Sequence, residues 1–117
     1  RMLLAGDAAH LNSPSGGFGM NGGVHDAFNL ADKLIKVWGG GDDTLLDLYA
    51  RQRHYAASAD IQKTSDANHK RHREKDHGRR LETLKAMQET ISDEKAVHNF
   101  LRESSLMNSL ERANALT

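Results

Sequence analysis

The sequence predicts a mostly helical chain with one N-terminal strand and four or so helices. Three observations carry this. Met2-Leu3-Leu4-Ala5 is an apolar run closed by Gly6, as in a strand buried on both faces of a parallel sheet. Between Gly6 and Gly23 the only proline and six glycines leave no room for regular structure. Beyond them, apolar residues recur at steps of three and four almost to the C-terminus, the spacing of amphipathic helices.

Composition bounds what these elements can build. At 117 residues the chain has the length of one ordinary domain, but with 38% apolar and 5% aromatic residues any core would be thin. Sixteen basic residues balance sixteen acidic ones, so no global field draws in nucleic acid or an anionic membrane. There is no cysteine, which removes disulfides, thiolate metal sites and a thiol nucleophile. No apolar run approaches the roughly 18 residues that span a bilayer, and no signal peptide is evident. The expectation is a cytoplasmic protein without nucleic-acid or membrane partners.

Taken in order, the first helix is marked by Met20, Val24, Ala27, Phe28, Ala31, Leu34, Ile35 and Trp38, with His25, Asp26, Asn29, Asp32, Lys33 and Lys36 on the other face. His25 and Asp26 are expected in solvated or helix-packing roles. Gly39-Gly40-Gly41 ends the helix through left-handed backbone. Asp42-Asp43-Thr44 then signals a cap, and a second helix runs from Thr44 past Ile61 with Leu45, Leu48, Tyr49, Tyr55, Ala56 and Ala59 as its apolar side. Gly78 breaks the pattern, Leu81 to Ile91 resume it, and Ser92-Asp93-Glu94 caps a last helix through Val97, Phe100, Leu101, Met107 and Leu110.

The glycine-dense stretch is where chemistry is written. A carboxylate at a strand's end, Asp7, can accept hydrogen bonds from ligand hydroxyls, while the free N–H groups of the following helix's first turn face partial negative charge. Gly16, Gly17 and Gly19 let backbone approach a flat ligand, and Pro14 fixes one side of the turn. These devices suit a polyhydroxylated, partly anionic cofactor.

The ordered series Gly6-Asp7-Ala8-Ala9-His10, Pro14, Gly17-Phe18-Gly19-Met20-Asn21-Gly22-Gly23, Asp26-Ala27, Asn29-Leu30-Ala31 and Lys33-Leu34 closely resembles the second flavin-binding motif of the class A FAD-dependent monooxygenases, the aromatic hydroxylases that include para-hydroxybenzoate hydroxylase. The resemblance covers about the first third of the chain. It implies the C-terminal part of an α/β, Rossmann-like FAD-binding domain. In the family's terms Asp7, paired with Gly6, binds the ribityl chain, Pro14 lies beside the isoalloxazine ring, and the backbone of Gly19, Met20 and Asn21 meets the flavin's pyrimidine end. The implied activity is hydroxylation of a small aromatic-type substrate with NAD(P)H and O2. His10 is then expected in a structural loop role, and no catalytic residue or metal ligand is assigned.

The family's first βαβ unit, with its Gly-x-Gly-x-x-Gly signature, and its substrate domain are absent from these residues, so the resemblance implies a missing N-terminal half as partner. Tyr49 to Arg53 resembles the family's next segment, but His54 stands where many members carry proline, so the second helix is expected to continue without a kink. The expected organisation is 1–38 as part of the FAD-binding domain, 39–67 as a supporting helix, and 68–117 as a basic linker and helical tail. The basic patch from Asn68 to Arg80 lacks interleaved aromatics and reads as a solvated helix end rather than a nucleic-acid site. The competing expectation is a catalytically inactive helical remnant or interaction module without flavin.

Overall fold

The computed structural model describes residues 1–117. Two short 3-10 turns, Gly6–Ala8 and Pro14–Gly16, precede α1 (Phe18–Trp38) and α2 (Thr44–Tyr55). A π-helical stretch, Ala56–Ile61, carries α2 directly into α3 (Gln62–Arg73), and α4 (His77–Ser92), α5 (Glu94–Ser104) and α6 (Met107–Asn114) follow. The chain is mostly helical, as expected, but the N-terminal strand does not form. Ala5 has extended backbone, at φ −145° and ψ 152°, and residues 1–5 pair with no other segment. A strand is defined by its partner, and these residues contain no second strand to supply one. The Leu4 carbonyl instead accepts a hydrogen bond from the Tyr49 hydroxyl on α2.

Glycine ends α1 as expected. Gly40 adopts φ +95°, the Gly41 N–H reaches back to the Lys36 carbonyl at 2.9 Å and the Gly40 N–H to that of Val37 at 3.0 Å. This is the paired closure that satisfies the last carbonyls of a helix. A Cβ on Gly41 would lie 2.8 Å from the Lys36 oxygen, so the turn needs glycine there. The N-cap of the next helix, Asp43, makes no side-chain cap bond, and it is Asp42 before it that accepts from the Thr44 N–H at 2.8 Å. Helical backbone then continues from Thr44 to Arg73, in line with the absence of a proline at His54, although through a π-helical stretch that the sequence does not announce.

The two faces of α1 are used in the reverse of the expected sense. Its apolar stripe is largely exposed, with Phe28, Ile35 and Trp38 at 76%, 72% and 94%. Beyond Phe18 at its first position, the buried residues are Gly22, Asp26 and Lys33, which lie on the opposite side and face α2. Polar pairing with Gln52 and Arg53 selects this packing, while the outer stripe meets none of the 117 residues that could cover it.

Only 14 of 117 residues are buried, which confirms the thin core read from composition. The one apolar cluster joins distant segments: Phe18 at the start of α1, Ile61 at the end of the π-helical stretch, and Leu106 in the tail. The molecule is elongated, 58 × 29 × 18 Å, because α4 buries no side chain and extends away from that cluster.

The tail corrects two boundaries. Gly78 lies inside α4, and the break falls at Glu74–Asp76 because Asp76 takes the N-cap, its carboxylate accepting from the Arg79 N–H at 2.8 Å. The last predicted helix is split at Ser105 and Leu106, where Leu106 turns the chain with left-handed backbone. The expected cap at Asp93 forms, accepting from the N–H groups of Lys95 and Ala96. Asp93→Ala is therefore expected to cost about 1 kcal/mol of tail stability, read as a lower melting temperature of the helical circular dichroism signal.

Candidate functional site

The glycine-dense loop is anchored from beneath by one carboxylate. Asp26 is fully buried and accepts from three segments at once: the Gly6 N–H at 2.8 Å and His10 Nε2 at 2.7 Å, both on Oδ2, and Arg53 Nε at 2.5 Å on Oδ1. Arg53 Nη2 also reaches the Gly22 carbonyl at 3.5 Å. Asn12 Nδ2 lies 3.2 Å from His10 Nδ1, so an arrangement in which His10 donates through Nε2 and accepts through Nδ1 satisfies every partner. His10 thus ties the loop to α1, the structural role expected of it. Of the two roles expected for Asp26, the helix-packing one is realised.

Burial pushes the Asp26 carboxyl upward, but the hydrogen bonds from Arg53, Gly6 and His10 together outweigh it and hold the group below its ordinary value. His25, alongside, is lowered by burial first and by Arg53 second, against the opposing pull of Asp26. Deeper along the same interface Lys33 is buried without an ion pair. Its Nζ donates to Asn29 Oδ1 at 2.7 Å and Gln52 Oε1 at 2.9 Å, and burial lowers its pKa. The neighbouring Asp32 is engaged by Lys36 on the surface.

Above this support lie the seven residues singled out from sequence. Gly6 opens the first 3-10 turn at φ +60°, and that turn packs on α1 where Gly6 and Gly23 meet backbone to backbone. A Cβ on Gly23 would stand 3.3 Å from the Gly6 Cα. Asp7 follows, exposed and without a hydrogen bond or ion pair to the rest of the chain. Pro14 begins the second 3-10 turn, whose carbonyl receives the Gly17 N–H at 3.2 Å. Gly17, at φ +67°, is the N-cap of α1 and has no side chain to cap it. Gly19, Met20 and Asn21 form the first turn, with Asn21 Nδ2 folding back to the Gly17 carbonyl at 3.1 Å.

Two features of this turn bear on ligand binding. No side chain caps the N–H groups of the first turn, and no acidic side chain stands in it. Nothing lies within 4 Å of a Cβ placed on Gly17 or Gly19, so the backbone there is open to a flat group. An uncapped helix start over bare glycine is a surface suited to an acceptor-bearing or partly anionic group. A separate cleft of about 260 Å³, lined by Met2, Leu4, Ala9, His10, Tyr49 and Ala57 among others, contains none of the seven residues. No group of three His, Asp or Glu is placed to hold a metal ion, and no helix is long and apolar enough to cross a membrane.

A family profile described as "FAD binding domain" matches residues 1–64. The chain belongs to that family. FAD is accordingly its cofactor. Among curated relatives, tetracenomycin B2 monooxygenase-dioxygenase of Streptomyces olivaceus is 56% identical over 55 residues, 46% of this chain and 10% of the relative. Rifampicin monooxygenase of Streptomyces venezuelae is 48% identical over 65 residues, 55% of this chain and 14% of the relative. Para-nitrophenol 4-monooxygenase of Pseudomonas sp. (strain WBC-3) is 36% identical over 109 residues, covering 92% of this chain and 27% of the relative. The chain thus spans between about a tenth and a quarter of the length of these relatives. No solved structure matches.

Sequence reasoning missed the members that hold the site from below, Arg53 and the Lys33–Gln52 pair. A signal was present. Gly22, Asp26, Asn29 and Lys33 repeat at steps of four, three and four on one face of α1, and Gln52 and Arg53 lie three and four residues after Tyr49 on one face of α2. Two complementary polar stripes joined by a short glycine link describe a polar helix interface.

Removing the Asp26 carboxylate strands a buried guanidinium and frees the Gly6 N–H. Asp26→Ala is expected to destabilise the fold by about 3–5 kcal/mol, measured by chemical denaturation. The pH dependence has two steps. His25 is lowered from 6.5, so the unfolded chain binds more protons just below that value and stability falls as pH drops through it. Asp26 is lowered from 3.8, and Glu103 in the tail from 4.5 to about 2, so their contributions are full above 4.5 and are lost as pH falls through their folded values. Denaturation midpoints from about pH 8 to about pH 2 are expected to show both declines, and His25→Gln to remove the first.

Proposed function

We propose that this chain supplies the ribityl and isoalloxazine wall of the flavin site in an FAD-dependent monooxygenase that hydroxylates an aromatic substrate with NAD(P)H and O2. The observation that carries the reading is the open, uncapped start of α1. No side chain caps its N–H groups, nothing stands within 4 Å of a Cβ on Gly17 or Gly19, and Asp7 in the preceding loop is exposed and unengaged. The relatives named above, monooxygenases on tetracenomycin B2, rifampicin and para-nitrophenol, support the reaction class.

In this reading Asp7 accepts hydrogen bonds from ribityl hydroxyls, and Pro14 bounds the ring's edge. The N-terminal dipole of α1, with the amides of Gly19, Met20 and Asn21, favours negative charge at the pyrimidine end. Bound FAD would supply the electron transfer and oxygen chemistry. The protein's share is to hold the flavin, tune its charge and keep the loop rigid through Asp26. The partner proposed is the remainder of the FAD-binding domain, with its dinucleotide-binding βαβ unit, together with a substrate domain. The exposed stripe of α1 and the unpaired extended residues 1–5 are surfaces such a partner would cover. An enzyme using NAD(P)H in this way would work in the cytoplasm.

The same exposed stripe favours one other reading, a helical module that associates through α1 and carries no flavin. Flavin absorbance of the purified full-length protein separates the two, since a colourless protein that gains no flavin on titration leaves only the second. In the flavoprotein, Asp7→Ala is expected to weaken FAD binding by about 1.5–3 kcal/mol, the value of a hydrogen bond to a charged group. Unchanged affinity would remove Asp7 from the site.

A further inference from the structure

The C-terminal tail reaches the glycine loop through one residue. Leu106 is the only non-glycine residue with left-handed backbone, at φ 63° and ψ 11°, a conformation that side chains other than glycine rarely adopt. It is nevertheless 5% exposed, buried against Phe18 and Ile61. A corner that only had to turn would carry glycine or asparagine. Here a branched side chain occupies the strained position and is used as a contact.

That contact bears on the loop. Phe18 is the first residue of α1, directly before Gly19, and its ring lies over Gly16, where an added Cβ would stand 2.3 Å from Cδ2 and Cε2. Phe18 is thus wedged between the second 3-10 turn on one side and Leu106 with Ile61 on the other. The tail that presents Leu106 is seated independently. Arg112 donates to Asp60 Oδ1 at 2.9 Å and to Glu103 Oε1 at 2.9 Å, Ser109 and Ala113 are buried, and Gln52 Nε2 donates to the Leu116 carbonyl at 3.1 Å. Ser65 on α3 adds a second brace, donating to the Ser13 carbonyl at 3.0 Å.

We infer that Leu106 is a positioning residue for the flavin: seated by the tail, it presses on Phe18 and fixes the first turn of α1 whose amides meet the cofactor. The inference rests on the flavin contact proposed for that turn. It makes the tail, which lies beyond the 1–64 family match, part of the cofactor site.

The test uses the full-length flavoprotein. Leu106→Gly suits the backbone and deletes the side chain, whereas Leu106→Met keeps its volume. Leu106→Gly is expected to bind FAD about tenfold more weakly or worse, with an altered visible absorption envelope of the flavin that remains bound, and Leu106→Met to restore both. A folded Leu106→Gly protein with wild-type FAD affinity and spectrum overturns the inference. Should Leu106→Gly fail to fold, the decision passes to Arg112→Gln, which cuts the partly exposed bridges that seat the tail. Weaker FAD binding there supports the inference and unchanged binding overturns it. Asp7→Ala in the same series keeps the two proposals apart. If it weakens FAD binding while the tail variants do not, only the role of Leu106 fails. If Asp7→Ala and the tail variants all bind FAD normally, the flavin reading of the loop fails as well.

Discussion

The Asp26 carboxylate is the constraint on which the arrangement depends. One oxygen receives the backbone of Gly6 and the imidazole of His10, the other receives Arg53, and so the first turn, the loop, α1 and α2 are fixed through a single side chain. An ion pair this deep adds little net stability over an apolar replacement, because desolvation offsets most of the attraction. Its value lies in direction. Apolar contacts would let the loop settle in many ways, whereas these hydrogen bonds define which way Gly6 and Asp7 face.

The remaining supports follow the same logic at lower density. Ser65 holds Ser13, Asn21 closes on Gly17, and the Phe18–Ile61–Leu106 cluster presses the helix start from the side. A loop rich in glycine loses much backbone freedom on ordering. Contacts from α3, α2 and the tail offset that loss and hold the loop backbone in one arrangement. The start of α1 itself is left free of such contacts, with no side-chain cap and with Gly17 and Gly19 bare.

Much of this was legible in the sequence because it is local. The glycine cap after Trp38, the Asp42 bond to Thr44 and the Asp93 cap are set by residues within a few positions of one another, whereas α1 begins at Phe18, inside the glycine-dense stretch expected to be irregular. The order of the Gly-Asp and Gly-Phe-Gly-Met-Asn elements carried the family. What sequence did not give is long-range. The strand expected at Met2–Ala5 needs neighbours these residues do not contain, so its apolar composition misled. Asp26 was expected on the polar face of α1, and it is, but that face turned inward because a matching polar stripe on α2 was there to receive it. The split at Leu106 carries no glycine or proline to mark it, and only tertiary burial makes a leucine tolerate that backbone.

The reversed use of α1 has a consequence for how the helix tolerates change. Ordinarily an amphipathic helix offers one conserved-chemistry side and one permissive side, and labels, charges or crosslinks go on the latter. On α1 the hydrophilic positions Asp26, Asn29 and Lys33 are interior, and the exposed positions Phe28, Ile35 and Trp38 are greasy. A surface-engineering rule based on residue polarity would therefore select the wrong side twice, placing a bulky tag at Lys33 and sparing Trp38. Away from the glycine loop, the safe attachment ground is the narrow flank held by the Asp32–Lys36 pair, where polar character and access to solvent coincide.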